Sequence, residues 1–386
     1  MKIAIDVTYS PSGGSLTQIR NMIDVFNGLD DLKIVIYSKK DNNKLLSDVT
    51  KNNKVIISSL ANLAIIGRVL WGQLFLPLYL KKDKIDILFC PGNLGPVFSP
   101  IKTVIWVGTI GPFFKDFYEN LLWTSLKHNK AKLYLNKFFM IASTRRASAV
   151  IYESNYTKNL FEEKFNLNKS TSHVINIGFD NFFADCIKSD YESSELNSIS
   201  KTNYVLCVSH MYPYKNIIRL LVAYRLVIDT TQNSSKLIIA GSRHYAPYNN
   251  EIEQCIDDLS LNDYVVLLGE VSKKVLKNLY LDASMLVFPS PFENFAYTLV
   301  EAMSCGVPIV CSNTTAMTET CHNAAQYFNP YNINEMAEKI GVVLVSDDLR
   351  NEMSKKSILR SKELPNYHEV AHETIDIMRE IVNEQN

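Results

Sequence analysis

Short runs of wholly apolar residues alternate with helical patterns along this chain, and they do so twice. In the first half β-rich runs fall at 2–7, 33–37, 54–57, 85–90, 103–107, 149–152 and 173–177. Between the first two, Leu16, Ile19, Ile23 and Phe26 recur every three or four residues, which is one face of a helix. In the second half, runs at 204–208, 236–240, 264–268, 285–288 and 308–311 alternate with helical patterns at 217–227, 250–259, 273–280 and 298–304. Strands that are apolar on both sides need cover on both faces, and parallel sheets flanked by helices supply it. The expected fold class is therefore α/β, with two Rossmann-like, doubly wound parallel-sheet domains. A length of 386 residues is also too great for one ordinary core. Tandem domains of this kind bind ligands where the C-terminal ends of their strands face a shared central cleft.

The segment around 179–202 lacks periodic apolar residues and is rich in Asp, Glu, Ser and Lys, the composition of a linker. The reading divides the chain into a first domain at 1–180, a linker at 181–202, a second domain at 203–365 and a C-terminal helix at 366–386. That helix carries Val370, Ile375, Ile377 and Met378, a face able to pack back on the first domain.

Forty Lys and Arg balance forty Asp and Glu, so charge gives no support to nucleic acid as the main partner. Seven cysteines (Cys90, Cys186, Cys207, Cys255, Cys305, Cys311 and Cys321) show no C-x-x-C spacing and read as buried reduced thiols. No metal site follows from them. The N-terminal residues read as a first strand rather than a signal peptide. No apolar run approaches the ~18 residues that cross a bilayer. The expected localisation is cytoplasmic, at the inner face of the membrane if the chain binds it.

The stretch 289–308 carries the most chemistry. Glu293 lies where an apolar strand runs out into a loop, and Glu301 lies eight positions on, inside the following helix. A helix N-terminus thus falls between two carboxylates. The backbone N–H groups around Phe295, Ala296 and Tyr297 form a cradle for an anion. Carboxylates that grip hydroxyls beside a phosphate cradle describe a nucleotide-sugar pocket. Ser209, His210 and Lys215 sit on a loop after the first strand of the second domain, where a lysine can neutralise a diphosphate; it reads equally as a solvated lysine opening a helix. Gly13 and Gly14 follow the first strand and allow close backbone approach, or form an ordinary turn. Gly269 and Val271 follow another strand and can present backbone groups to a nucleobase, while Ser272 caps the next helix.

His128, His244, His322, His368 and His372 show no metal spacing and read as surface residues. The D-x-D pair with which other sugar-transferring enzymes hold a divalent metal does not occur. Two segments, 71–82 and 127–139, are apolar and aromatic with bases. Both fit either a core helix with one wet face or a helix on a membrane surface.

Taken together these residues resemble the retaining glycosyltransferases of family 4, which have the GT-B fold. The glutamates match that family's E-x7-E motif, and Glu301-Ala-Met-Ser-Cys-Gly-Val-Pro is similar to its E-A-M-x-x-G-x-P continuation. Leu206 to Asn216 resembles the segment ending in the phosphate-binding lysine. Gly269-Glu-Val-Ser, with Leu279-Tyr-Leu-Asp-Ala beyond it, is similar to the nucleobase loop and its helix. Val174 to Asp180 resembles the segment that closes the first domain, and Tyr152 to Leu160 is similar to the strand and helix just ahead of it.

The resemblance implies that Glu293 contacts the transferred sugar and Glu301 the ribose. It implies that Lys215 and the amides of Phe295, Ala296 and Tyr297 hold the diphosphate, with Gly13 and Gly14 closing from the other domain. Three departures stand out: His210 where members often have Arg, Gly108-Thr109 in place of a His-Asp pair, and Ala296 in place of glycine. The expected activity is retaining transfer from a nucleotide-diphosphate sugar to a glycan or lipid-linked acceptor in surface polysaccharide synthesis. No cofactor or metal is expected. The alternative is a catalytically impaired nucleotide-sugar-binding scaffold in a glycan-assembly complex, motivated by Gly108-Thr109. A weaker third reading is a nucleotide-sugar epimerase.

Overall fold

The computed structural model describes residues 1–10, 14–63, 65–114, 130–167, 171–185, 203–232 and 234–384. The chain forms two compact units. The first runs to Gly178 and resumes at Pro365, and the second takes up Phe179–Leu364.

The first unit is built on seven parallel strands: β1 (Lys2–Asp6), β2 (Lys33–Ser38), β3 (Lys54–Ile57), β4 (Ile87–Cys90), β5 (Lys102–Val107), β6 (Ala149–Tyr152) and β7 (Ser172–Val174). They lie in the order β3-β2-β1-β4-β5-β6-β7, with Ala4 between Val35 and Leu88. Alternation along β1 sends Ile3, Ile5 and Val7 to one face and Ala4 to the other. The helices are α1 (Gly14–Asn27), α2 (Lys40–Leu46), α3 (Ile65–Leu70), α4 (Leu76–Lys82), α5 (Lys130–Arg146) and α6 (Asn155–Phe165). On the first face α1 packs Leu16, Ile19, Ile23 and Phe26. The opposite face holds Tyr37, Trp71, Leu76, Leu80 and Phe161.

The second unit repeats the scheme with six strands: β8 (Tyr204–Val208), β9 (Lys236–Ala240), β10 (Val265–Gly269), β11 (Met285–Phe288), β12 (Ile309–Ser312) and β13 (Ala325–Phe328). Their order is β10-β9-β8-β11-β12-β13, all parallel. Its helices are α7 (Ile217–Thr231), α8 (Ala246–Asp258), α9 (Lys273–Asp282), α10 (Tyr297–Ser304), α11 (Met317–Cys321), α12 (Ile333–Val345) and α13 (Asp347–Ser361). A last helix, α14 (Tyr367–Asn383), belongs to the first unit. In each sheet the strand order reverses, between β1 and β4 and between β8 and β11, which are the places where doubly wound sheets bind ligands.

Helix α14 lays Val370, Ala371, Ile375 and Met378 into the same core as α1. Its start is fixed by a reciprocal cap: the Asn366 side chain accepts from the His368 and Glu369 amides at 2.9 and 3.1 Å, and the Glu369 carboxylate accepts from the Asn366 amide at 2.8 Å. Gly178 lets the chain pass this corner, since a Cβ there would lie 2.7 Å from the Tyr367 backbone.

Of the segment read as a linker, 186–202 lies outside the described residues. Its start is anchored instead of free. Asn181–Phe183 forms one turn, the Phe183 ring meets Tyr280 edge-on at 5.8 Å, and Cys305 Sγ donates to the Phe183 carbonyl at 3.3 Å. Strand β13 and helices α12 and α13 lie beyond the elements expected from the sequence. Strand β13 is four residues at a sheet edge, and α13 is charged around most of its surface, so neither shows an apolar period. Cys90, Cys207, Cys305, Cys311 and Cys321 are buried and Cys255 half-buried, all as free thiols; Cys186 is outside the described residues. His244, His322, His368 and His372 are exposed, and His128 is outside the described residues.

Candidate active site

The loops after β8 and β11, the strands flanking the reversal in the second sheet, converge. After β8 the chain turns through Ser209 to Tyr212 and a single helical turn, Pro213–Lys215, before α7. Between turn and helix stands Asn216 in a left-handed conformation, φ 66°. Asparagine tolerates that region better than most side chains. Its buried amide donates to the carbonyls of Pro289 at 3.0 Å and Pro330 at 2.8 Å, and its oxygen accepts from Arg219 at 2.8 Å. One side chain thus ties the β8 loop to those after β11 and β13.

The tie brings Lys215 onto Glu293. The ammonium and carboxylate form an ion pair, with only 15% and 19% of their side chains exposed. Lys215 also lies 5.3 Å from the Tyr214 ring and 6.0 Å from Phe288. Burial acts to lower the Lys215 pKa, but the Glu293 carboxylate and then the Tyr214 phenol outweigh it and hold the ammonium above its ordinary range. From the other side Thr315, at φ 51°, accepts the Glu293 amide at 3.0 Å through its hydroxyl, and Thr314 donates to the Pro291 carbonyl at 2.7 Å. A cation and a carboxylate are thus fixed side by side at a strand's end.

Beyond Glu293 the chain enters α10. Phe295 and Ala296 are buried, and Ala296 is the residue before the helix, whose first turn has no side-chain cap. Tyr297 is the first helical residue. Glu301 comes to a second cluster one helical turn and more along. The Tyr280 hydroxyl of α9 donates to its Oε2 at 3.1 Å. Lys273, paired with Asp180, acts on it electrostatically. Burial lifts the Glu301 pKa to about 7, against the opposing hydrogen bond from Tyr280 and the charge of Lys273. The two glutamates therefore occupy different environments: one salt-bridged, one largely desolvated.

Ser209 and His210 lie beside β9. The end of β9 passes so close beneath them that a Cβ on Gly241, at φ 149°, would sit 2.0 Å from the Ser209 carbonyl oxygen; only glycine fits. Ser242 Oγ and His210 Nδ1 are 2.7 Å apart. Desolvation, then the Lys215 charge, lowers the His210 pKa, with Glu270 opposing. The imidazole is therefore a neutral polar group at neutral pH. Gly269 has φ 72° with open space around it, Val271 is half-buried, and Ser272 caps α9 by accepting the Val275 amide at 3.3 Å. Among the described residues no group of three His, Cys, Asp or Glu is placed to hold a metal ion.

In the first unit Gly13 lies outside the described residues and Gly14 opens α1. Asp6, at the end of β1, is buried. Its Oδ1 accepts the Thr8 amide at 3.1 Å and hydroxyl at 2.7 Å, while Oδ2 finds no partner among the described residues. Burial raises its pKa to about 6 despite those bonds. At Gly108-Thr109 both amides donate to the Asn93 side-chain oxygen, at 2.6 and 3.0 Å. A Cβ on Gly108 would meet the Glu153 carboxylate at 3.0 Å, and that carboxylate accepts the Trp106 indole N–H at 2.9 Å. The small residue at 108 thus goes with the carboxylate of Glu153, the residue after β6, in the space a longer side chain would enter.

Asn216, Gly241, Ser242, Thr315 and Tyr280 support the site without having been picked out by sequence. The signal for Asn216 was its place between Lys215 and an apolar helical run, where a left-handed residue is needed to turn the chain.

The two doubly wound domains are those of the GT-B fold. The solved structure of Anabaena Alr3699/HepE in complex with UDP shares it, with a TM-score of 0.73 and 17% identity over 98% of this chain and 99% of that one. Residues 189–360, just under half of the chain, match the family model for glycosyl transferases group 1. That stretch contains each candidate residue except Gly13 and Gly14. Among curated relatives, O-antigen chain mannosyltransferase B of Escherichia coli is 32% identical over 160 residues, 42% of each chain. O-antigen chain mannosyltransferase RfbU of Salmonella typhimurium is 30% identical over 194 residues, 50% of each chain. The match therefore spans about half the length of these relatives or less.

Proposed function

We propose that the protein is a retaining glycosyltransferase that moves a mannosyl unit from a nucleotide-diphosphate sugar to a hydroxyl of a glycan or lipid-linked acceptor, in surface polysaccharide synthesis of the O-antigen type. The observation that carries the proposal is the Lys215–Glu293 pair at the strand reversal of the second sheet. Support for the sugar comes from the two mannosyltransferase relatives.

In this reading Lys215 passes from Glu293 to the donor diphosphate, and Glu293 is released to a sugar hydroxyl. The amides of Phe295, Ala296 and Tyr297, with Ser209 and neutral His210, complete the phosphate contacts. Glu301 takes the ribose, and Gly269 and Val271 border the base. The bond between the anomeric carbon and the diphosphate oxygen breaks, and the acceptor oxygen bonds to the same face. Its proton goes to the departing phosphate. Such a step asks the protein mainly for preorganised charge, and losing one such contact costs roughly 10²–10³ in rate. Lys215 and the amides meet the leaving charge in this scheme without a metal.

A thermal-shift screen with UDP, GDP, ADP and their mannose and glucose esters tests donor binding. A ligand at about 100 times its Kd adds roughly 2.7 kcal/mol. Transfer to a panel of oligosaccharide and lipid-linked acceptors follows with the nucleotide that binds. We expect Lys215→Ala and Glu293→Ala to abolish transfer nearly completely. Turnover within about tenfold of wild type in both would refute the assignment of these residues. Donor binding with no transfer or hydrolysis would instead make the chain a binding partner.

A further inference from the structure

Helices α3 and α4 are joined by a wide turn, Trp71–Phe75, into one continuous helical run from Ile65 to Lys82. Its inner side is core: Trp71, Leu76 and Leu80 are buried, and Trp71 packs on Tyr37 and Tyr79 with ring centroids 6.1 and 5.5 Å away. A helix over a core should turn a polar side to solvent. This one turns out Ile66, Leu70, Leu74 and Leu78, of which Ile66, Leu74 and Leu78 are 68%, 57% and 65% exposed. A spacing of four drifts about 40° per step around an α-helix. The wide turn holds more residues per turn and takes up that drift, so the apolar stripe continues across it.

The stripe runs into an open groove of about 470 Å³, lined among others by Leu78, Lys81, Phe98, Ile101 and Arg146. Phe98 is 76% exposed, and the Arg146 guanidinium lies over its ring at 5.6 Å. The two segments that carry this face are basic. The helical run carries Arg68, Lys81 and Lys82, and α5 ends in Arg145 and Arg146; neither segment contains an Asp or Glu, in a chain whose bases and acids are equal in number overall. Tyr134 and Phe138 add two exposed aromatic rings on α5.

We propose that this face of the first unit is a docking surface for an anionic lipid bilayer, with the Ile66–Leu78 stripe and Phe98 entering the headgroup region and Lys81, Lys82 and Arg146 on the phosphates. Apolar side chains flanked by bases that reach outward are the composition of a helix lying in a membrane interface. A symmetric contact between two copies would set bases against bases, whereas an anionic surface satisfies both the apolar and the charged groups. Among the described residues no helix is long and apolar enough to cross a membrane, so the contact is one of lying on it. The inference does not draw on the sugar-transfer reading.

The test is flotation of the purified protein with vesicles of phosphatidylglycerol and phosphatidylethanolamine, and with vesicles of phosphatidylcholine alone. Two variants accompany it: Leu74→Asp/Leu78→Asp, and Lys81→Glu/Lys82→Glu/Arg146→Glu. All five positions are exposed, so melting temperatures should stay at the wild-type value. We expect wild type to float with anionic vesicles, binding to weaken as salt is raised, and each variant to lose roughly tenfold or more in partitioning. Failure of wild type to float, or flotation of both variants like wild type, would overturn the proposal. So would a wild-type oligomer that the leucine variant splits into monomers, since the face would then belong to a second copy.

Discussion

Replacing Lys215 by Met would leave the Glu293 carboxylate under its loop with no cation opposite. Both side chains are mostly covered, at 15% and 19% exposed, so the stranded charge stays partly desolvated. Breaking a fully buried pair costs about 3–5 kcal/mol. The residual exposure reduces this, and we expect ~2–3 kcal/mol for Lys215→Met. Glu293→Gln should cost less, about 1–2 kcal/mol, because the ammonium keeps the faces of Tyr214 and Phe288. The double variant carries no charge to strand, so the two losses should not add; a coupling of about 1–3 kcal/mol is expected for groups in contact. A domain of this size shifts its melting point by roughly 2–4 °C per kcal/mol. Scanning calorimetry should therefore show Lys215→Met about 4–12 °C lower and the double variant well above the sum of the single shifts. Transfer should behave oppositely, with all three variants down by roughly 10²–10³. Melting shifts additive to within about 0.5 kcal/mol would refute the coupled pair. A double variant that regained turnover along with stability would show that the pair only holds the fold.

Three further outcomes follow from single groups. Burial lifts the Glu301 pKa to about 7, so its carboxylate becomes dominant above neutrality; if it holds the ribose as proposed, nucleotide Kd measured by calorimetry should tighten from pH 6 to 8 and lose that slope in Glu301→Gln. Asp6 has its folded pKa raised from 3.8 to about 6, so the folded state holds more protons than the unfolded between those values, and stability should fall as pH rises through that window and level off above it, by up to about 3 kcal/mol. Asp6→Asn should flatten that part of a denaturation-versus-pH curve. Asn216→Gly keeps the left-handed backbone but loses the two bonds to Pro289 and Pro330, and should cost about 1–3 kcal/mol in urea denaturation and raise KM for the donor, while an unchanged midpoint would mean that the tie is not made in solution.

Strands were legible where apolar runs are continuous. Residues 204–208, 236–240 and 285–288 carry no polar residue to break the signal except Lys236 at a start, and the sheet uses them unchanged. The sign of their surroundings, helices on both faces, followed from the same runs. What escaped was order that depends on contacts distant in sequence. Ala325–Phe328 is a strand because Ile309–Ser312 lies beside it. Helix α13 is anchored by Met353, Ser357 and Ser361 and stopped from fraying at its start by Ser346, whose hydroxyl accepts the Leu349 amide at 3.2 Å. In the candidate site the charged groups could be picked out by spacing, whereas the groups that aim them could not. Asn216 meets partners 73 and 114 residues away, and Gly241 is required by the carbonyl of Ser209, 32 residues earlier. The apolar and basic character of 71–82 was visible as composition, whereas its continuation back to Ile65 was not. Only the folded helix shows which of its leucines face away from the core.

The placement of Tyr367–Asn383 in the first unit reverses the order of birth and completion. The half of the chain that leaves the ribosome first must wait, with part of its hydrophobic face bare, while some two hundred further residues are added. At about 5–20 residues per second that delay is roughly 10–40 s. During it, Leu16, Ile19 and Phe26 have α1's own sheet but not their last neighbour. A premature stop ahead of Pro365 would accordingly damage the first unit and spare the second, the inverse of what the position of the lesion would lead a geneticist to expect.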